Sequence, residues 1–103
     1  MNRQDLPAIK SLMEWYRSQC DGDWEHQHGV QIGTLDNPGW SLDVDLAETP
    51  QAGRSIAKKM IERSKDDWVF FEVKDDIFHA RGGPLNLEEM ISSFLAFVEG
   101  PSE

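Results

Sequence analysis

The densest run of reactive side chains is Cys20-Asp21-Gly22-Asp23-Trp24-Glu25-His26-Gln27-His28, a thiol, three carboxylates and two imidazoles in nine residues. Thiol chemistry would need Cys20 ionised by a neighbouring base or a helix N-terminus. Cys20 falls instead at the C-terminal end of a helical pattern, where the dipole disfavours an anion, and in step with its apolar stripe. It reads as a buried, inert cysteine. His26 and His28 are two apart and would share one side of a strand, but no second cluster with ligand spacing follows, only His79 and scattered acids. Asp21-Gly22-Asp23 resembles a fragment of a calcium loop whose twelve-residue pattern is not completed. No metal and no cofactor are expected. Gly82-Gly83-Pro84 has no lysine after it and is no phosphate loop, and no serine lies in a nucleophile elbow. The residues read as non-enzymatic. A small thiol- or metal-dependent enzyme centred on Cys20, His26 and His28 is the alternative.

Charge carries a clearer message. The chain has 103 residues, with nineteen acids against ten bases and a net charge of −9. Like charge repels nucleic acid and anionic membranes, and a basic partner is favoured. The charge is also blocked along the chain. Between Arg17 and Arg54 there is no lysine or arginine, while Asp21, Asp23, Glu25, Asp36, Asp43, Asp45 and Glu48 all lie there. Such a stretch steers a cationic partner. Expected partner-binding residues are Asp21, Asp23 and Glu25 beside the first helix end, and Asp36, Asp43 and Asp45 along the hairpin that follows. Trp24, set among acids, is the expected exposed anchor, and Trp15 is the other tryptophan expected outside the core. The basic run Arg54, Lys58, Lys59, Arg63, Lys65 has no interleaved aromatics and reads as a solvated sheet edge.

These residues sit on a simple scaffold. A helix is expected over Leu6 to Gln19, with Ile9, Leu12, Met13, Tyr16 and Cys20 on its buried face, Asp5 as N-cap and Pro7 in its first turn. Strands follow over Gly29 to Leu35 and Trp40 to Leu46, joined by Asp36-Asn37-Pro38-Gly39 as a type II turn. Gln51 to Arg63 fits either a short helix or a loop followed by a strand from about Ile56 to Arg63, and the strand is the favoured reading. Trp68 to Val73 and Ile77 to Arg81 are strands joined at Lys74-Asp75-Asp76. The last element is a helix capped by Asn86 and Glu89, with Leu87, Met90, Ile91, Phe94, Leu95 and Val98 as its apolar stripe. The expected fold is α+β in a single domain over residues 1–103: an antiparallel meander of about five strands with both helices packed on one face. One cysteine allows no internal disulfide and, with no signal-like apolar segment at the N-terminus, fits a cytoplasmic protein.

Several blocks carry a family resemblance. Trp15-Tyr16, Ser18-Gln19-Cys20-Asp21-Gly22-Asp23-Trp24-Glu25-His26, and Thr34-Leu35-Asp36-Asn37-Pro38-Gly39-Trp40-Ser41 resemble the immunity protein 53 family of bacterial polymorphic toxin systems. Glu62-Arg63-Ser64, Asp66-Asp67-Trp68, Gly82-Gly83-Pro84 and Asn86-Leu87 are similar to its later motifs. The resemblance implies a small cytoplasmic protein that binds and neutralises a cognate toxin, acting by stoichiometric occlusion. The toxin domain would be basic, and a nuclease is one such target. A sulfurtransferase of the rhodanese kind would need a loop of backbone N–H groups around a reactive cysteine on a longer parallel scaffold, which this sequence lacks. An acidic adaptor for some other basic protein is the second alternative.

Overall fold

The computed structural model describes residues 7–100. Helix α1 spans Ala8–Gln19, a short α2 spans Trp24–Gln27, strands β1 to β5 span Val30–Leu35, Gly39–Asp45, Ile56–Ser64, Asp67–Lys74 and Ile77–Gly82, and α3 spans Leu87–Glu99. All strand pairs are antiparallel, in one open sheet ordered β1-β2-β5-β4-β3. The α+β architecture is the one expected, with N- and C-terminal helices on one face. The order departs from a meander, because β5 returns to pair with β2. Burial explains why. β5 alternates buried Phe78, Ala80 and Gly82, whereas β3 is exposed at every position after Ile56. A meander would have put the polar strand in the middle and the apolar one at an edge.

The covered face of the sheet presents Leu42 and Val44 of β2, Phe78 and Ala80 of β5, and Val69 and Val73 of β4 to the helices. Met90, Ile91, Phe94, Leu95 and Phe97 of α3 close that core. The opposite face carries Ser41, Asp43, His79, Arg81, Phe70 and Glu72, and no helix among the described residues covers it. Gly39 and Gly82 lie where two backbones approach. A Cβ on Gly39 would collide with the Gly82 carbonyl, and one on Gly82 would sit 2.6 Å from the Met90 sulfur.

The first helix is rotated from its expected seating. Ala8, Ser11, Leu12 and Trp15 are its buried residues, and Ile9, Met13 and Tyr16 face outward. Both sets follow helical spacing, and the large ring of Trp15, edge-on to Phe94 at 4.9 Å, decides between them. The expected N-cap Asp5 lies outside the described residues; Pro7 occupies the cap position. The Ala8 N–H donates to Glu88 Oε1 at the start of α3, 80 positions away. With Trp15 also against Phe94, α1 and α3 run side by side in the same direction.

Two local expectations change as well. Gly39 opens β2 opposite Leu35, so the hairpin connection is Asp36 to Pro38 and Gly39 is not a central turn residue as expected; the Asn37–Pro38 peptide is cis. Asn86 precedes α3 without a side-chain cap bond; its Nδ2 donates to Asp67 Oδ1 and Glu89 Oε1 instead. Arg63 pairs with both of those carboxylates. The strand expected after residue 55 is β3, and its basic residues do stand on a sheet edge.

Candidate partner-binding surface

The chain leaves α1 at Cys20 and turns through Asp21-Gly22-Asp23, with Gly22 at φ 98°, a region that favours glycine. Asp21 Oδ1 accepts the N–H groups of Asp23 and Trp24, both at 2.9 Å, and so caps α2 from two residues upstream of Asp23. Glu25 reaches back and accepts from the N–H groups of Asp21 and Gly22. The Trp24 and Asp23 N–H groups hold Asp21 below the ordinary carboxylate range. Glu25 is lowered too, by its own N–H first and then those of Asp21 and Gly22. Asp67 is lowered by Arg63 and then by Asn86.

These shifts set an acid limit on stability. A carboxylate with a lowered native value binds fewer protons folded than unfolded, so its contribution is complete above the unfolded value and is lost as pH falls through the native one. The ordinary values are 3.8 for aspartate and 4.5 for glutamate. The thermal midpoint is therefore expected to vary little with the carboxylates above about pH 5 and to fall below about pH 4. Asp67→Asn and Asp21→Asn should flatten that fall in calorimetric scans; an unchanged profile in both would assign the acid sensitivity elsewhere.

Trp24 is not the exposed anchor expected of it. It is 3% exposed, with its ring edge-on to Trp15 at 6.2 Å and its Nε1–H donating to the Ala47 carbonyl at 2.9 Å. The four-residue α2 turns it inward, which spacing among acids could not reveal. Trp15 is likewise buried. Cys20 is only half-buried, and its thiol donates to the Tyr16 carbonyl at 3.3 Å. His28 lies 3.6 Å from Glu48 and beside the Trp24 ring. Among the described residues, no group of three or more His, Cys, Asp or Glu side chains is placed to hold a metal ion.

The remaining candidates divide. Asp45 stands at the end of β2, where its Oδ2 accepts the Gly29 N–H at 2.9 Å, so it lies beside the α2 loop. Asp43 lies two residues inward on the helix-free face, where Oδ1 meets His79 Nδ1 at 2.8 Å and accepts from Arg81 at 3.0 Å. Its charge is offset by Arg81. Asp36 is at the far end of the hairpin, about 20 Å away along a strand that rises roughly 3.3 Å per residue.

Three acids not expected at the site join the near end. The 46–55 connection arches over the β4–β5 turn: Leu46 N–H donates to the Asp76 carbonyl, and Gly53 N–H to Asp76 Oδ1. This ties the β4–β5 turn, which carries Asp75 and Asp76, to the segment that follows Asp45, and Glu48 of that segment lies beside His28 at the end of α2. The side chain of Glu48 is 74% exposed. Their meeting depends on β5 lying against β2, which a meander does not provide. The C-terminal ends of both long helices point the same way. α3 has no basic residue in its last turn, and α1 has only Arg17. The C-terminal dipole ends of both helices lie toward this pole. Arg54, at this end, donates to the Phe97 carbonyl and lies over the Phe97 ring.

Neither the curated proteins nor the solved structures returned a match to the chain. The family described as immunity protein 53 matches residues 9–99, nearly the whole described fold. The chain therefore belongs to the immunity protein 53 family, and its role lies in immunity to a toxin.

Proposed function

We propose that the protein neutralises a cognate toxin in the cytoplasm by binding it one to one and covering its active surface, with the acidic pole as the contact that finds and orients it. What supports this reading is that the segments carrying Asp21, Asp23, Glu25, Asp45, Glu48, Asp75 and Asp76 are tied at one end of the sheet: Asp45 accepts the Gly29 N–H just after α2, Leu46 and Gly53 donate to Asp76, and Glu48 lies beside His28. A cleft that binds a phosphate backbone is basic, and a fixed anionic surface can occupy it in place of nucleic acid. A nuclease is thus the favoured kind of toxin. Asp21 and Glu25 are already tied by backbone N–H groups, so little side-chain freedom is lost when they meet a cation. No bond-making chemistry is assigned to the chain: Cys20 lies at a carbonyl end of α1, which opposes a reactive thiolate.

Co-expression tests the reading. Toxin domains from genes adjacent to this one are expressed with and without the protein. Growth should be rescued by the intact chain, and the pair should co-purify. Association should slow as salt rises, by about tenfold or more between 50 and 500 mM, because steering by exposed charge is screened. Rescue without a stable complex would count against occlusion, and a salt-independent rate would remove the electrostatic part.

A further inference from the structure

The two edges of the sheet are built differently. β3 presents Lys58, Lys59, Glu62 and Arg63 to solvent and shifts register twice along β4. Charges and irregular register are how an edge resists pairing with another chain. β1, Val30-Gln31-Ile32-Gly33-Thr34-Leu35, has no charge and no proline and keeps register with β2 along its whole length.

Which backbone groups of β1 face outward follows from one bond. Asp45 N–H donates to the Gly29 carbonyl at 3.0 Å, making Gly29 and Asp45 a hydrogen-bonded pair. Such pairs alternate along an antiparallel ladder. Gln31, Gly33 and Leu35 therefore turn their N–H and C=O groups to β2, and Val30, Ile32 and Thr34 turn theirs to the open edge. The side chains of Val30 and Ile32 lie on the helix-covered face, paired with Val44 and Leu42.

A groove of about 290 Å³ runs beside that edge, lined by Ile9, Leu12, Met13, Tyr16, Val30 and Ile32. It exists because α1 buries Trp15 and leaves Ile9, Met13 and Tyr16 outside; Met13 is 63% exposed. A strand added opposite Ile32 would place alternate side chains directly into this groove.

Charge decides the occupant. Two copies pairing β1 with β1 antiparallel would set the acidic pole of one beside the Asp36 turn of the other, between chains of net charge −9. A segment with basic residues meets no such repulsion. The geometry points to β1 as the docking edge for an extended segment of the toxin, hydrogen-bonded to Val30, Ile32 and Thr34 as a sixth strand. Apolar side chains of that segment fill the groove against Met13 and Ile32, and basic residues at one end reach the acidic pole. This rests on the immunity reading above and adds the mode of recognition.

Ile32→Pro tests it, since proline removes an N–H that faces the open edge and leaves the β2 ladder alone. Met13→Glu, on an exposed side chain, puts a charge into the groove. The probe is the toxin domain identified by co-expression, with its catalytic residue removed. Each variant should lose about tenfold or more in affinity by calorimetry while its thermal midpoint stays within a few degrees of the parent. The amides of Val30, Ile32 and Thr34 should gain protection from hydrogen exchange in the parent complex. Parent-like affinity in Met13→Glu together with unprotected amides would overturn the edge proposal, even if Ile32→Pro fails to fold. A dimer of the free chain that either variant dissolves would assign the edge to a second copy and overturn it as well. A parent chain that does not bind the probe at all would instead overturn the immunity reading.

Discussion

Replacing Trp24 with alanine is expected to cost about 3–5 kcal/mol, the range for removing a large buried aromatic. Domains of this size have total stabilities of about 5–15 kcal/mol, so much of the margin would go. The loss has three parts. The ring no longer fills the space against Trp15 and Tyr16. The Ala47 carbonyl loses its donor, Nε1–H. The 46–55 connection then loses one of its attachments to the α2 loop. Trp24→Phe keeps most of the ring contact and removes only the donor, and should cost about 1–2 kcal/mol. Urea titrations of both variants measure this. Folded Trp24→Phe should bind the toxin as the parent does, because the ring is 3% exposed. A large affinity loss at parent-like stability would put Trp24 back at the interface.

Charge removal at the pole should have the largest effect on association. Asp23 precedes α2 without a side-chain cap bond, Glu48 is well exposed, and Asp75 sits at φ 55°, which asparagine tolerates. The triple variant Asp23→Lys, Glu48→Gln, Asp75→Asn leaves the bonds of Asp21, Glu25 and Asp45 in place. Its association rate should fall at least about tenfold at low salt, with a smaller change in dissociation. Asp36→Lys, at the other end of β2, is the control and should change the rate by less than about twofold. If the control falls as far as the triple variant, the toxin engages the far end.

How legible all this was in the sequence depended on range. Periodicity located both long helices and the first hairpin because each signal is local: alternation in Trp40 to Leu46, and the wide stripe from Leu87 to Val98. β4 showed in its β-branched and aromatic content, whereas residues 51–63 stayed open between helix and strand because β3 is exposed on both faces and leaves no alternation to follow. Strand order was not local. It depended on setting the polarity of β3 against the burial of β5, and the meander followed sequence adjacency instead. The same gap hid Asp75 and Asp76 from the proposed surface. The helix face of α1 was ambiguous because two sets of residues obey the same spacing, and only the fit of Trp15 against Phe94 separates them. Trp24 was misplaced for a related reason. Acidic neighbours say nothing of which way a single helical turn points its ring.

The bond from Ala8 to Glu88 has a consequence for synthesis. α1 buries its face on α3, and the ladder of β2 is completed by β5, so residues 8–45 have few lasting partners until residues 77–99 emerge. Contacts of such long sequence separation form late and together. A nascent chain on the ribosome would hold a hairpin and an unsettled helix, and closure would come only once α3 has emerged. Products cut short before the last helix should be cleared by proteases rather than accumulate as partial binders.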